Sequence, residues 1–284
     1  MNAVPGAGAS RRAVLALLFP IMLVNLIGFI VPMLNLGLLS FKEALTGGGI
    51  GEKFTLANWV TLVTDDFNRE LLLNSVGVSL AITVAALVLS YPIALYIQRA
   101  EGLWRSILIV LVISPLLTSA VVRTYGWVVI LSDQGGLPSL LNAIGLTAPR
   151  MIFNTTGVIV GLTEILMPYM IVSLLAGFGR LDPRLEEAAA TLGASPIQSF
   201  WRVVFPLTLP GVALGCLLVF VLSVSSFITP KLLGGGRVFL LATEIYDQAI
   251  VTLNWPLAAT LSILVLVLFG LVLVVYGRAV AALD

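Results

Sequence analysis

Leu185-Glu-Glu-Ala-Ala-Ala-Thr-Leu-Gly-Ala-Ser-Pro-Ile-Gln-Ser-Phe-Trp-Arg-Val-Val-Phe-Pro-Leu-Thr-Leu-Pro-Gly211 lies between two long apolar runs. It is more patterned than a plain helix–helix link, which takes about 2–8 residues. Asp182-Pro183 just ahead is a helix opener, with Asp as cap and Pro at the first helical position. Glu186 and Glu187 then fall in the first turn, where the helix dipole favours anions. Leu185, Ala188, Ala189 and Leu192 share one face at helical spacing. Gly193 stops that helix, as a C-terminal glycine does. Ser195-Pro196 opens a second short helix carrying Ile197, Phe200, Trp201 and Val204. Pro206 and Pro210 mark the return to the apolar run. Two short helices hinged at Gly193, with aromatic knobs, suit a groove on a soluble partner. A helix lying on lipid headgroups has the same composition, so composition leaves both open.

The rest of the chain sets the context. Apolar residues make up 59% and charged residues 10%, with mean hydropathy +1.10; a soluble domain carries about 25% charge. The chain therefore belongs in a bilayer. A net charge of +1 offers no bulk attraction for nucleic acid. With no His and a single Cys, Cys216, a His/Cys metal site and an intrachain disulfide are excluded.

Six stretches are long enough to cross about 30 Å of hydrocarbon: Ala13–Phe41, Leu71–Gln98, Trp104–Leu131, Val158–Phe178, Thr208–Ile228 and Leu257–Ala281. The expectation is an all-α polytopic membrane protein with six transmembrane helices, one domain over 1–284 with its core at about 70–280. Pro20 and Pro32 interrupt the first stretch. That stretch is too long for a signal-peptide h-region and shows no small-residue cleavage site, so an uncleaved span is expected. Loop Lys and Arg residues number eight on the side of the 181–207 loop and six on the other. The excess puts that loop and both termini in the cytoplasm. Thr46-Gly47-Gly48-Gly49 reads as a flexible loop on the outer side.

The chain does not bind ATP through a Walker motif. A P-loop needs Lys followed by Ser or Thr after a Gly-rich turn, and neither Lys42, Lys53 nor Lys231 is so followed. Acid–base catalysis finds no His and no paired carboxylates within a span, so an enzyme is not expected. Arg123 and Glu164 are the charges clearly inside spans. A charge at mid-membrane costs about 2.5–3.5 kcal/mol on insertion scales, so both should face protein or water. They read either as a structural ion pair between the third and fourth spans or as the lining of a polar solute path. Transport then draws on an ion gradient, as in a secondary carrier, or on a partner that hydrolyses ATP.

Glu187-Ala188-Ala189, Gly193 and Val203-Val204-Phe205-Pro206 resemble, in residue type and spacing, the EAA signature of permease subunits in binding-protein-dependent ATP-binding-cassette (ABC) importers. The usual ending is Ile-x-Leu-Pro; Val203 and Phe205 are conservative departures. Ser114–Ser119 with Val122–Trp127 resembles the spermidine/putrescine, PotB-like branch of these permeases. So do Asn74-Ser75, Tyr91-Pro92, Ile228-Thr229-Pro230 with Leu233–Gly236, and Trp255-Pro256.

The resemblance implies a type I ABC importer permease fold in a bacterial inner membrane. It implies a coupling helix docked in a cytoplasmic ATPase dimer that holds the ATP and Mg, with no cofactor in this chain. A second permease, expected to be a sister chain, and a periplasmic solute-binding protein complete the assembly. Glu187, Ala188, Ala189 and Gly193 are carried over as ATPase-coupling residues; Ser195, Pro196 and Trp201 are added as further contacts. The implied cargo is a polyamine, though the branch also handles other small amines, phosphonates, opines and ferric ion. Carboxylates and aromatic faces suit ammonium groups. Arg123, Tyr125, Trp127, Glu164 and Tyr169 are therefore candidates for the path, and Asp133, Glu244 and Asp247 for its outer mouth. Arg123 repels a dication unless Glu164 neutralises it. Lys231–Gly236 reads either as an outer loop touching the binding protein or as a flexible turn.

Overall fold

The computed structural model describes residues 7–45, 47–147, 149–179 and 181–281. Thr46 of the expected loop and Arg180 of the charge balance lie outside the described residues. Among the described residues five helices are each long and apolar enough to cross a membrane, and a bent pair, counted as one span, gives a sixth.

α1 (Ala7–Ser40) passes unbroken through Pro20 and Pro32. The expected interruption does not occur; a proline removes one backbone hydrogen bond, and the remaining turns of a membrane helix hold. A small hairpin, β1 (Lys42–Ala44) with antiparallel β2 (Ile50–Phe54), follows. Its turn was expected to be flexible but is built: Gly47, Gly48 and Gly49 all have φ near +100°, and the Gly49 N–H donates to the Leu253 carbonyl at 3.0 Å. Asn58 on α2 (Ala57–Thr64) is buried and donates to the Ser40 and Lys42 carbonyls. The fold thus departs from all-α by this one hairpin among the described residues.

α3 (Asp66–Arg99) is the second span. The third was expected as a single helix over Trp104–Leu131 and is not one. α4 (Gly102–Ile113) and a 3₁₀ turn, Ser114–Leu117, end at Thr118; α5 (Ala120–Leu131) and α6 (Gly136–Ala143) leave at 95°. Pro115 cannot donate a backbone hydrogen bond, and Thr118-Ser119 turns extended before the next helix. α4 alone covers about 18 Å at 1.5 Å per residue, too short to span.

α7 (Thr155–Phe178) is the hub. Of its most apolar window, 61% is buried, against 22% for the last span and none for α1. It packs between α3 and α10 (Phe205–Ser225). A Cβ on Gly177 would sit 2.5 Å from the Gly211 Cα, and one on Gly215 2.5 Å from the Met170 sulfur. Lipid supplies no hydrophobic drive between helices, so such small residues let dispersion contacts hold them.

α8 (Pro183–Thr191) and α9 (Pro196–Ser199) form the loop between α7 and α10. α11 (Ile228–Leu233), α12 (Leu241–Tyr246) and a wide π turn, Asp247–Val251, occupy the opposite end, before α13 (Trp255–Ala281). The flexible-turn reading of Lys231–Gly236 does not hold. Thr229, Pro230 and Leu233 are buried, and a Cβ on Gly235 would meet the Phe153 ring at 2.4 Å.

Candidate functional site

The 185–211 segment folds by local rules. The Asp182 side chain accepts from the Arg184 N–H at 3.0 Å, capping α8. At its other end Gly193 has φ +84°. The Gly193 N–H donates to the Ala190 carbonyl at 2.9 Å and the Ala194 N–H to Ala189 at 3.0 Å. These two bonds satisfy carbonyls that a helix end leaves free, and the angle is one that glycine adopts without strain. Ser195 and Gln198 then cap α9 reciprocally, at 3.0 and 3.3 Å.

The second helix does not stop at a membrane entry. α9, a π turn at Phe200–Val204 and α10 run on as one span. The Phe205 N–H reaches the Phe200 carbonyl, five residues back. Pro206 and Pro210 lack the N–H groups that would hold α-helical register there. The wide turn also splits the expected face. Ile197 and Trp201 are 71% and 59% exposed, whereas Val204 is buried and Phe200 half-buried.

Phe200 joins a cluster that sequence spacing did not suggest. Its ring lies 5.7 Å from Tyr91 and 5.1 Å from Trp201; Tyr91 also lies 5.5 Å from Phe178. The Tyr91 hydroxyl meets the Thr208 hydroxyl at 2.9 Å. These rings tie the loop's base to α3, α7 and α10. Arg99, at the end of α3, pairs with Glu186 at 2.8 Å. A cleft of about 340 Å³ sits there, lined by Arg99, Glu186, Ala190, Pro196, Phe200 and Val204.

On α8 the apolar face is turned outward: Leu185, Ala188 and Leu192 are exposed, Leu192 by 89%. Glu187, Gly193, Ser195, Pro196 and Trp201 are exposed too, and Ala189 is half-buried. The loop therefore presents a rigidly based, bare surface.

Deeper in the bundle, Arg123 on α5 lies 3.6 Å from Glu164 on α7, with 13% and 37% side-chain exposure. The Trp127 indole N–H donates to the other Glu164 oxygen at 3.0 Å. At an effective dielectric of about 20 the ion pair attracts by about 4–5 kcal/mol, comparable to the several kcal/mol lost on desolvating each ion. Arg123 Nε and Nη1 are buried and make no hydrogen bond. The neighbouring Thr124 hydroxyl meets the Thr229 hydroxyl at 2.8 Å, which ties α5 to α11. Tyr125 is exposed and does not join Trp127, because residues two apart on a helix face apart. Tyr169 is likewise exposed.

At the end opposite the loop, Lys231 on α11 pairs with both oxygens of Asp247, 2.6 Å to Oδ2. Its Nζ lies 5.7 Å from the Tyr246 ring centre, and Tyr246 stacks on Phe227 at 5.3 Å. Glu244 is buried and accepts from the Gln248 amide at 2.7 Å. Asp133 is not gathered here; it lines a separate surface pocket with Pro138, Asn142 and Arg150.

The comparisons agree with this architecture. Residues 98–283 match the family described as "Binding-protein-dependent transport system inner membrane component". The chain is 36% identical over 270 residues to the "Spermidine/putrescine transport system permease protein PotB" of Escherichia coli, covering 93% of this chain and 98% of that protein. It is 31% identical to the E. coli "Inner membrane ABC transporter permease protein YdcU", covering 93% and 88%. In fold it matches a chain of a bacterial ABC transporter "involved in the import of the acidic polysaccharide alginate", with TM-score 0.72 and 19% identity over 95% of this chain and 96% of that one. The spans around α7, the loop between α7 and α10 and the matched region agree: the chain belongs to the family of inner membrane components of binding-protein-dependent transport systems, with the type I ABC importer permease fold.

Proposed function

We propose that the chain is the permease subunit of a polyamine importer. The observation that carries this is the 36% identity to the spermidine/putrescine permease over nearly the whole of both chains. The coupling loop faces the cytoplasm, as do both termini. Glu187, Ala188, Ala189 and Gly193, with Ser195, Pro196 and Trp201, meet an ATPase dimer that holds the ATP and Mg. A sister permease supplies the other half of the path, and a periplasmic binding protein delivers the amine at the far end. Cargo passes Asp247 and Glu244, then the Arg123–Glu164 pair. The loop moves as a unit with the spans because the Tyr91 cluster links them. Coupling needs this loop to contact the ATPase differently in the two access states.

Proteoliposomes holding this chain, its sister permease and the ATPase test the reading. Spermidine uptake should require both the binding protein and ATP. Uptake driven by an ion gradient alone would make the chain a secondary carrier instead. A second cargo has one observation in its favour: the Nε of Arg123, which makes no hydrogen bond, is a donor that suits an anionic group, as on an opine or phosphonate. Competition of those solutes with spermidine separates the two.

A further inference from the structure

Lys231 and its surroundings hold an ammonium the way an amine carrier must. Its Nζ sits on both Asp247 oxygens and over Tyr246, whose ring is stacked on Phe227 with planes 15° apart. A carboxylate and an aromatic face are what a primary ammonium seeks when it leaves bulk water. Beside them lies a cleft of about 400 Å³, lined by Phe227, Ala242, Ile245, Tyr246, Ala249 and Val265. Its walls are mainly apolar, Ser225 and Ser262 being the polar exceptions, which suits methylene spacers.

We propose that Asp247, Tyr246 and Phe227 form an ammonium-binding subsite, and that Lys231 occupies it until a cargo ammonium displaces it. The subsite rests on the amine-importer reading above and names the residues that would recognise its cargo. Lys231 carries the same chemical group as a polyamine terminus, so exchange preserves every contact to Asp247. The cargo gains in addition the mainly apolar cleft. Between transport cycles Lys231 keeps Asp247 from being an unpaired, half-buried charge, which is costly. Lys is suited to exchange, being a compact point charge on a flexible stem; the planar fork of Arg would lock onto the carboxylate. The side chains of Lys231 and Asp247 are 38% and 30% exposed, so solute can reach them.

Equilibrium binding of radiolabelled spermidine to the solubilised importer, without its binding protein, tests this. If Lys231 fills the subsite about nine-tenths of the time, Lys231→Met should tighten binding by about tenfold. Asp247→Asn should abolish binding. The double variant Lys231→Met/Asp247→Asn leaves no unpaired charge; it should assemble into the complex to the wild-type extent by size exclusion, and still not bind. Unchanged affinity in Lys231→Met, or wild-type binding in either Asp247 variant, overturns the subsite and leaves the amine importer standing. A wild-type importer that moves neither spermidine nor putrescine with binding protein and ATP present overturns the importer reading, and the subsite with it.

Discussion

Substitution of Gly193 separates backbone angle from bulk at the coupling surface. Gly193 has φ +84°, and a Cβ there would meet no atom within 4 Å. The cost of Gly193→Ala is therefore conformational, about 1–2 kcal/mol for an L-residue in the left-handed region. That lowers the ratio of the native turn to its alternatives by a factor of about 5–30. Valine, branched at Cβ, is worse there. Asparagine adopts this angle more readily and is found at helix C-termini for that reason. Coupled uptake in proteoliposomes should fall in Gly193→Ala, by up to about tenfold for a cost of about 1.4 kcal/mol. It should fall further in Gly193→Val and stay near wild type in Gly193→Asn. Melting in detergent should not change in any of them, since the turn is exposed and outside the packed core. An Asn variant as impaired as the Val variant would refute the angle argument and point to bulk against the partner. Full uptake in all three would remove the turn from coupling.

Gly211→Ala pushes a methyl to 2.8 Å from the Gly177 Cα, where only backbone can yield. It should cost about 1–3 kcal/mol, seen as a lower melting temperature, whereas Gly270→Ala, with nothing within 4 Å, should cost nothing. Glu164→Gln leaves Arg123 buried and unpaired and should destabilise by about 3–5 kcal/mol, with Arg123→Met/Glu164→Leu recovering most of it; equal folded yields of the wild type and Glu164→Gln would show that the pair does not hold α5 to α7. Tyr91→Phe keeps the ring cluster and loses one hydroxyl contact. Thr208 still donates to the Phe205 carbonyl at 2.9 Å, so the cost should sit at the low end of about 0.5–1.5 kcal/mol by chemical denaturation. A larger loss would mean that the hydroxyl contact, not the rings, ties the loop to the bundle.

Much of the loop was legible because its signals are local. Asp182, Gly193 and the Ser195–Gln198 pair act within four residues of themselves, so spacing along the chain is spacing in space. The rings around Tyr91 escaped the reading because Tyr91, Phe178 and Phe200 come from three elements. Ile197, Phe200, Trp201 and Val204 have the spacing of one face, yet a π turn rotates them onto two.

The sequence by itself determined that this chain lives in a bilayer, where most of its spans lie, and that it carries no Walker-type P-loop. Hydropathy, the missing P-loop and the EAA-like spacing are properties of composition and order alone. Only the tertiary structure decided that the third span bends by 95° at Thr118-Ser119, that Arg123 meets Glu164, and that Lys231 sits on Asp247. An apolar run has the same hydropathy straight or bent. A charge in a span demands a partner without naming it. The partner is chosen by which helices cross, and the glycines at 177 and 211 set one such crossing by letting two backbones touch.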